Sequence, residues 1–227
     1  YQVKADKKPG TARLGEKSVI AVIIPNVEGS LFTKIITCIT QLCESRGYSV
    51  SIYLTFDDAG NDITYIHEIA DVLNAPCGLD SKYYQKIRQR NMPLVCIERT
   101  VSDHSISCGV ADSKSIIRKG TQTLLNSGHK KIGILMSDRE ISTVNEQLTG
   151  FLDAMYDAGV HCDDSNIVKM NLYNNKDCER AIISHYEDFK PTAYIACGNQ
   201  ITLILISTLQ KLAVDIPSQL SVIGFSD

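Results

Sequence analysis

The sequence predicts an α/β fold with two similar lobes, each a parallel sheet flanked by helices. Short apolar runs alternate with longer stretches of helical periodicity along the chain. This alternation is typical of parallel sheets assembled from βαβ units. It restarts near Asp112, which predicts an N-terminal lobe over 18–111 and a C-terminal lobe over 112–227.

The stretch Val19 to Ile24 is apolar throughout and is rich in β-branched residues. A strand without polar alternation is buried on both faces, as in the centre of a parallel sheet. Pro25 ends this strand because it cannot donate a ladder hydrogen bond. Ligands of open α/β sheets bind beyond the carboxyl ends of such strands. The loop and helix start from Asn26 to Phe32 are therefore the first candidate site.

Strands and helices also alternate through the rest of the first lobe. Apolar residues at helical spacing predict a helix over 33–46, and Gly47 is well placed to end it. The further predicted strands are Val50–Thr55, Asp71–Pro76, Leu94–Glu98 and Ser107–Val110, with helices over 62–70 and 81–90.

The second lobe repeats the pattern. Strands are predicted at Lys131–Met136, Ile167–Leu172, Ala193–Cys197 and Leu220–Phe225. Helices are predicted from Ile116 to a stop at 127–128, around Leu148–Met155 with a stop at Gly159, over Cys178–Tyr186 and over Ile201–Leu212.

Composition excludes several classes of protein. The 227 residues carry a formal net charge of −3, which disfavours nucleic-acid binding by this stretch as a whole. No apolar run is long enough to span a membrane, and the polar start shows no signal peptide. The eight cysteines form no CxxC motif, which favours free thiols in a reducing compartment over a disulfide framework or a zinc site. These observations predict a cytoplasmic protein without membrane association.

The sequence lacks the common catalytic and phosphate-binding motifs. There is no GxGxxG after a strand, no GxSxG and no HExxH, and the five histidines are scattered. The paired carboxylates at 57–58 and 163–164 lie in polar, turn-like stretches where Asp is expected. We therefore predict a binding protein rather than an enzyme, with no metal and no cofactor.

Four stretches together resemble the LacI/GalR transcriptional regulators, whose core is similar to type I periplasmic binding proteins. IAVIIPNVEGSLF is similar to the family's opening strand and loop, and the 110–135 stretch resembles its Asp-led segment with a Leu-x-x-x-Gly-His core. FKPTAYIACGNQ resembles a stretch that ends in Asn-Asp, and IPSQLSVIGFSD resembles V-P-x-D-(I/L)-S-V-(V/I)-G-(F/Y)-D-D. The resemblance covers about 18–227 in the family's order and spacing.

This resemblance implies a homodimeric repressor or activator. Operator DNA would be bound by a head outside this chain, and residues 1–17 would be the remnant of its hinge, with Arg13 and Leu14 at the DNA. A small effector, sugar-like or atypical, would close the lobes and shift the population that binds DNA. The dimer face would lie in and around the helix Thr33 to Arg46 and the 71–90 region. Family members continue several dozen residues further, so we expect the chain to be a fragment.

The resemblance also implies the ligand-binding cleft. Its candidate residues are Asn26, Glu28, Gly29, Phe32, Arg99, Asp112, Asn145, Gln147, Gly198, Asn199 and Ser226.

Three of these positions depart from the family pattern. Gln147 stands where a cleft Arg is usual, Gly198 where the Asn of Asn-Asp is usual, and Ser226 where the first Asp after Gly-(F/Y) is usual. Unsatisfied buried polar groups cost about 1–3 kcal/mol each, so we predict weak or no binding of the common sugar effectors. Two alternatives stay open: neutral hydrogen bonds to an unusual sugar, and regulation by a protein partner.

Two other classes compete with a regulator. An extracytoplasmic solute-binding protein of a transporter would share the two-lobed fold, but the cysteines, the basic N-terminal stretch and the absence of a signal peptide disfavour it. A doubly wound enzyme would need an acid–base or nucleophile pair, and none is evident.

Overall fold

The first sheet is centred on strand β1, Val19–Ile24. In the computed structural model, residues 19–25, 30–56, 72–74, 93–101 and 103–225 are described. β1 pairs in parallel with β2, Ser49–Leu54, on one side and with β3, Val72–Asn74, on the other. Residues 21–24 are fully buried, which confirms the prediction of a central strand that is apolar on both faces.

Two further strands complete this sheet. They are β4, Leu94–Ile97, and β5, Ser107–Gly109, and the order in the sheet is β2-β1-β3-β4-β5. Helix α1, Ser30–Glu44, connects β1 to β2. The chain leaves α1 through Gly47 at φ +81°, and the Tyr48 N–H donates to the Cys43 carbonyl at 2.9 Å. Gly47 thus ends the helix as predicted, because a glycine adopts this backbone conformation without steric cost.

The second sheet is parallel throughout. Its strands are β6 (Ile132–Ser137), β7 (Ile167–Met170), β8 (Ala193–Cys197) and β9 (Ser221–Phe225), in the order β7-β6-β8-β9. Its helices are α2 (Ser113–Asn126), α3 (Ser142–Asp157), α4 (Asn175–Phe189) and α5 (Asn199–Lys211).

Apolar side chains on both faces of this sheet form two core layers. Ile134 and Ile195 belong to a layer that includes residues of α2 and α3, such as Phe151. Leu135 and Tyr194 belong to the other layer, which contains residues of α4 and α5. Successive residues of a strand point to opposite faces, so the continuous apolar runs of β6 and β8 supply both layers.

By contacts, the described residues through Val95 belong to one compact unit and those from Cys96 onward to a second. The boundary predicted at Asp112 stays a prediction, and the helices predicted over 62–70 and 81–90 lie outside the described residues. No helix in the described ranges combines the length and apolar character needed to cross a membrane.

Candidate ligand-binding site

The carboxyl ends of the parallel strands in the second sheet meet the amino ends of its helices. Helices α3, α4 and α5 each begin shortly after a strand, β6, β7 and β8 respectively, has ended. Helix amino ends carry unsatisfied N–H groups and a partial positive charge. We call this region the carboxyl edge, and it is where ligands of open α/β sheets bind.

Helices α2 and α3 run parallel, so both begin at the carboxyl edge. Lys114 pairs with Asp153 at 2.8 Å, and Arg118 pairs with Asp157 one turn further along both helices. The two backbones approach closely at Gly150, where a Cβ would overlap the Lys114 carbonyl oxygen. Gly150 therefore allows the backbone contact that sets how α2 and α3 are aligned along their axes.

Gln147 lies one turn closer to the carboxyl edge than Gly150, on the same side of α3. Gln147 is only 6% exposed. Ser113, in the first turn of α2, is 1% exposed, and its hydroxyl has no partner among the described residues. Unpaired buried polar groups are costly in a folded protein. The Ser113 hydroxyl is therefore available to a ligand.

Arg99 follows β4 in a segment that is held against the start of α3. Ser142 Oγ accepts a hydrogen bond from the Thr100 N–H at 2.8 Å, and the Thr143 hydroxyl donates to the Glu98 carbonyl at 2.8 Å. Glu98 adopts a positive φ of 63°, an unusual conformation for a residue other than glycine. Arg99 itself is buried. The structure thus brings Arg99 to the helix that carries Gln147.

Three more predicted residues lie at the carboxyl edge. Asp112 caps α2, and its carboxylate accepts from the Ser115 N–H at 3.0 Å. Backbone and side-chain hydrogen bonds from Ser115 lower the pKa of Asp112. Gly198 precedes α5 with φ +126° and supplies no side-chain cap, and Asn199 is the exposed first residue of that helix.

The remaining predicted residues lie elsewhere on α3, in the first unit, or outside the described residues. Asn145 is exposed on α3, on a different side of the helix from Gln147, because two residues turn a helix by about 200°. Phe32 is half-buried on α1 in the first unit. Arg13, Leu14, Asn26, Glu28, Gly29 and Ser226 lie outside the described residues, and their roles stay predictions.

Sequence reasoning missed Tyr173, which follows β7 at the carboxyl edge. Its side chain is 55% exposed, and the Arg139 guanidinium lies 4.9 Å from the centre of its ring. The Gln200 side chain, at the start of α5, donates to the Leu172 carbonyl at 2.7 Å. A single aromatic residue in the polar stretch NLYNN produces no periodic signal, so the sequence alone gave no indication of this position.

Two cavities formed by described residues of the second unit do not include Gln147 in their walls. A groove of about 450 Å³ between α2 and strands β8 and β9 is mainly apolar and includes Ile116, Ile195 and Ile223. A second cavity, of about 550 Å³, includes Lys131 and His185. Across the described ranges, no group of three or more His, Cys, Asp and Glu residues is arranged to hold a metal ion. The carboxyl edge therefore offers hydrogen-bonding groups, the charged side chains of Asp112 and Arg139, and an aromatic face.

Parallel α/β sheets with polar groups at their carboxyl edges are typical of proteins that bind small molecules, enzymes included. Residues 17–227 match the family model described as "Periplasmic binding proteins and sugar binding domain of LacI family". The chain belongs to this family.

Curated relatives include transcriptional repressors. The ribose operon repressor of Haemophilus influenzae is 24% identical over 224 residues, which are 95% of this chain and 66% of that protein. The HTH-type transcriptional repressor PurR of Photobacterium profundum is 25% identical over 226 residues, 92% of this chain and 64% of that protein. The chain thus spans slightly less than two thirds of the length of these relatives.

Solved structures share the fold. The transcription regulator CcpA of Lactococcus lactis superposes with a TM-score of 0.81 at 17% identity, over 92% of this chain and 78% of that one. A LacI family regulator of Enterococcus faecium with bound ribose gives a TM-score of 0.78 at 14% identity, over 91% and 77%. These likenesses confirm the predicted fold class of parallel sheets flanked by helices.

Proposed function

We propose that this chain is the effector-binding core of a LacI-type transcriptional regulator. The family match over residues 17–227 supports this role, and the named relatives are repressors. We further propose that the longer protein is a cytoplasmic homodimer, binds operator DNA through a segment outside these 227 residues, and is not an enzyme. Effector binding would shift the population between two states that differ in DNA affinity.

The observation that carries the small-molecule part is the Ser113 hydroxyl, which is buried and has no partner among the described residues. A ligand that pairs with this hydroxyl recovers the free energy lost when it was buried. The amide of Gln147, a residue that is only 6% exposed, offers both a donor and an acceptor but no charge. Gly198 and Ser226 are also uncharged, which likewise favours an uncharged effector. We therefore favour an uncharged effector that is held by neutral hydrogen bonds, and the common sugars that require charged partners should bind weakly.

A thermal-shift panel of the purified chain tests this proposal. The panel contains ribose, hexoses, sugar phosphates, purine bases and nucleosides. A ligand present at about 100 times its dissociation constant adds about 2.7 kcal/mol to the stability. Since each kcal/mol moves the midpoint of such a domain by about 2–4 °C, a true effector should raise it by about 5–11 °C.

Two variants of α3 make the panel specific. Gln147→Leu should abolish the shift, while Thr149→Ala, on the exposed side of the same helix, should keep it. A ligand that shifts both variants equally would contradict the role of Gln147. A large shift with an ordinary hexose would contradict the prediction of weak sugar binding. An absence of shifts across the panel would favour the alternative of a protein partner, which pull-downs with the same chain would then identify.

A further inference from the structure

The cavity that includes Lys131 and His185 lies beside the amino ends of β6 and β7. Lys131 directly precedes β6, Ser165 lies just before β7, and Phe189 is the last residue of α4. In a parallel sheet the amino ends lie opposite the carboxyl edge, so this cavity is separate from the effector site proposed above. Its volume of about 550 Å³ falls within the range of small-molecule sites.

Two aromatic rings form one wall of this cavity, and their contacts hold them in place. The rings of His185 and Phe189, which we call the ring wall, lie 4.9 Å apart, centre to centre. His185 Nε2 lies 2.8 Å from the Ser165 carbonyl oxygen, and Nδ1 lies 2.7 Å from the Tyr194 hydroxyl. Gly133 leaves room for His185, because a Cβ there would come within 3.0 Å of His185 Cε1. A ligand that packs on the ring wall therefore meets a surface that is already ordered, which lowers the entropic cost of binding.

Two opposite charges also line the cavity, and they are not paired with each other. Lys131 Nζ lies 5.1 Å from the centre of the Phe189 ring. Asp188 accepts a hydrogen bond from the Ser184 hydroxyl at 3.1 Å through one of its oxygens. Within the described residues, neither Lys131 nor Asp188 takes part in an ion pair. Both charges are therefore available to a ligand.

The charges and the apolar surface together restrict the chemistry of the ligand. Val168 and Ala181 add aliphatic groups to the ring wall, so the ligand should have an apolar part. An anion would be attracted by Lys131 but repelled by Asp188, and a cation would meet the reverse. A zwitterion places each of its charges beside the opposite one. A free amino acid with an apolar side chain combines these two properties in a small molecule.

We propose that this cavity is a second small-molecule site and that it binds a free amino acid with an apolar side chain. The carboxylate of the amino acid pairs with Lys131, its ammonium pairs with Asp188, and its side chain packs on the ring wall. Binding here does not involve Gln147 or Ser113, so the site stands whether or not the chain binds an effector at the carboxyl edge.

Titrations followed by NMR test the site directly, with the ring-proton resonances of His185 as the reporter. These resonances are assigned by their loss in His185→Gln. Leucine and phenylalanine should shift them in the unaltered chain. Two analogues each lack one charge of leucine: isocaproate lacks the ammonium, and isoamylamine lacks the carboxylate. Each should bind about two- to fivefold more weakly than leucine, the loss expected for one partly exposed ion pair.

Two variants show which charge each end of the ligand meets. Lys131→Met should weaken the binding of leucine about two- to fivefold but should not weaken that of isoamylamine, because this analogue has no carboxylate. Asp188→Asn should weaken leucine by the same factor but should not weaken isocaproate. Lys130→Met and Glu187→Gln are matched controls, because each removes an exposed neighbouring charge that does not line the cavity. Neither control should change the affinity for leucine.

Three results would overturn the proposal. His185 resonances that do not move with leucine or phenylalanine exclude binding at the cavity. Equal affinities for leucine and both analogues show an apolar depression without charge recognition. Equal losses in the two variants and their controls show general electrostatics rather than contacts at Lys131 and Asp188. Gln147→Leu should leave the leucine titration unchanged, so the thermal-shift panel and this titration separate failure of the effector proposal from failure of this one.

Discussion

At the scale of single residues, Gly150 limits how α2 and α3 can pack. A Cβ at this position would overlap the Lys114 carbonyl oxygen, a backbone atom that cannot move away as a flexible side chain can. We therefore predict that Gly150→Ala destabilises the chain by about 1–3 kcal/mol or more. Urea unfolding of the purified chain measures this difference.

Gly120, on the partner helix α2, is the matched control. A Cβ there would meet Ile223 and Ile195 at 3.5 and 3.6 Å, which are ordinary packing distances. Gly120→Ala should be neutral, or stabilising by up to about 1 kcal/mol through helix propensity. Equal effects of the two substitutions would show that the close approach at Gly150 does not determine stability.

The sequence predicted individual site residues unevenly, for physical reasons. Gln147 could be found because it stands where the resembling helix motif usually has an arginine. Its burial could not, because it depends on how α3 packs against α2. Tyr173 left no trace because Arg139, which contacts its ring, is distant in sequence and meets it only in the folded chain.

At the scale of elements, His185 links α4, β8 and the turn before β7. Its Nε2 lies 2.8 Å from the Ser165 carbonyl, which only accepts, so Nε2 carries the proton. In the neutral ring, Nδ1 then accepts from the Tyr194 hydroxyl at 2.7 Å. Protonation would turn Nδ1 into a donor and remove the acceptor of the buried Tyr194 hydroxyl proton. Neutral His185 thus pairs both groups as they are placed, whereas charged His185 would leave that proton without this partner.

This arrangement predicts that acid weakens the second unit. Burial lowers the pKa of His185 below its usual 6.5, against a smaller opposing effect of the Ser165 carbonyl and of nearby Asp188. The charged groups around it are Asp188 on α4 and Lys131 at the start of β6, both of which line the same cavity. The stability contributed by a group with a lowered pKa is present above its unfolded value of 6.5 and is lost as the pH falls through the folded value.

Urea midpoints at about pH 7.5 and about pH 5.5 measure this effect. His185→Gln keeps a donor and an acceptor but does not titrate, so its midpoint should fall less on acidification than that of the parent. The exposed His104→Gln should behave like the parent. An equal fall in His185→Gln and the parent would assign the acid sensitivity to other groups.

The sequence predicted which strands and helices are present better than it predicted the residues at which they begin and end. The predicted Ala193–Cys197 strand matches β8, and Val50–Thr55 is shifted by one residue from β2, Ser49–Leu54. By contrast, α4 was predicted over Cys178–Tyr186 but extends over Asn175–Phe189. Asn174 caps its start, and Lys190 ends it in a left-handed conformation. Apolar periodicity detects the buried face of a helix, whereas its terminal turns are polar and are stabilised by caps.

At the scale of the whole molecule, the cysteines are free thiols throughout the described residues. Cys43, Cys96, Cys178 and Cys197 are buried, and Cys38 is exposed on α1. Burial raises the pKa of Cys197 to about 12 and also raises that of Cys178. Since the thiolate is the reactive form, these thiols are poorly reactive in the folded chain.

We predict eight titratable thiols in the denatured, unreduced chain, and fast labelling of Cys38 before the buried thiols in the native chain. Reductant should leave the thermal midpoint unchanged, because no disulfide would be available to break. An extracytoplasmic solute-binding protein meets an oxidising environment, where thiols near one another pair. Fewer than eight thiols before reduction, together with a midpoint that falls on reduction, would therefore favour that alternative over a cytoplasmic regulator. Cys38→Ser, which removes only the exposed thiol, separates surface dimers formed during purification from a disulfide within the chain.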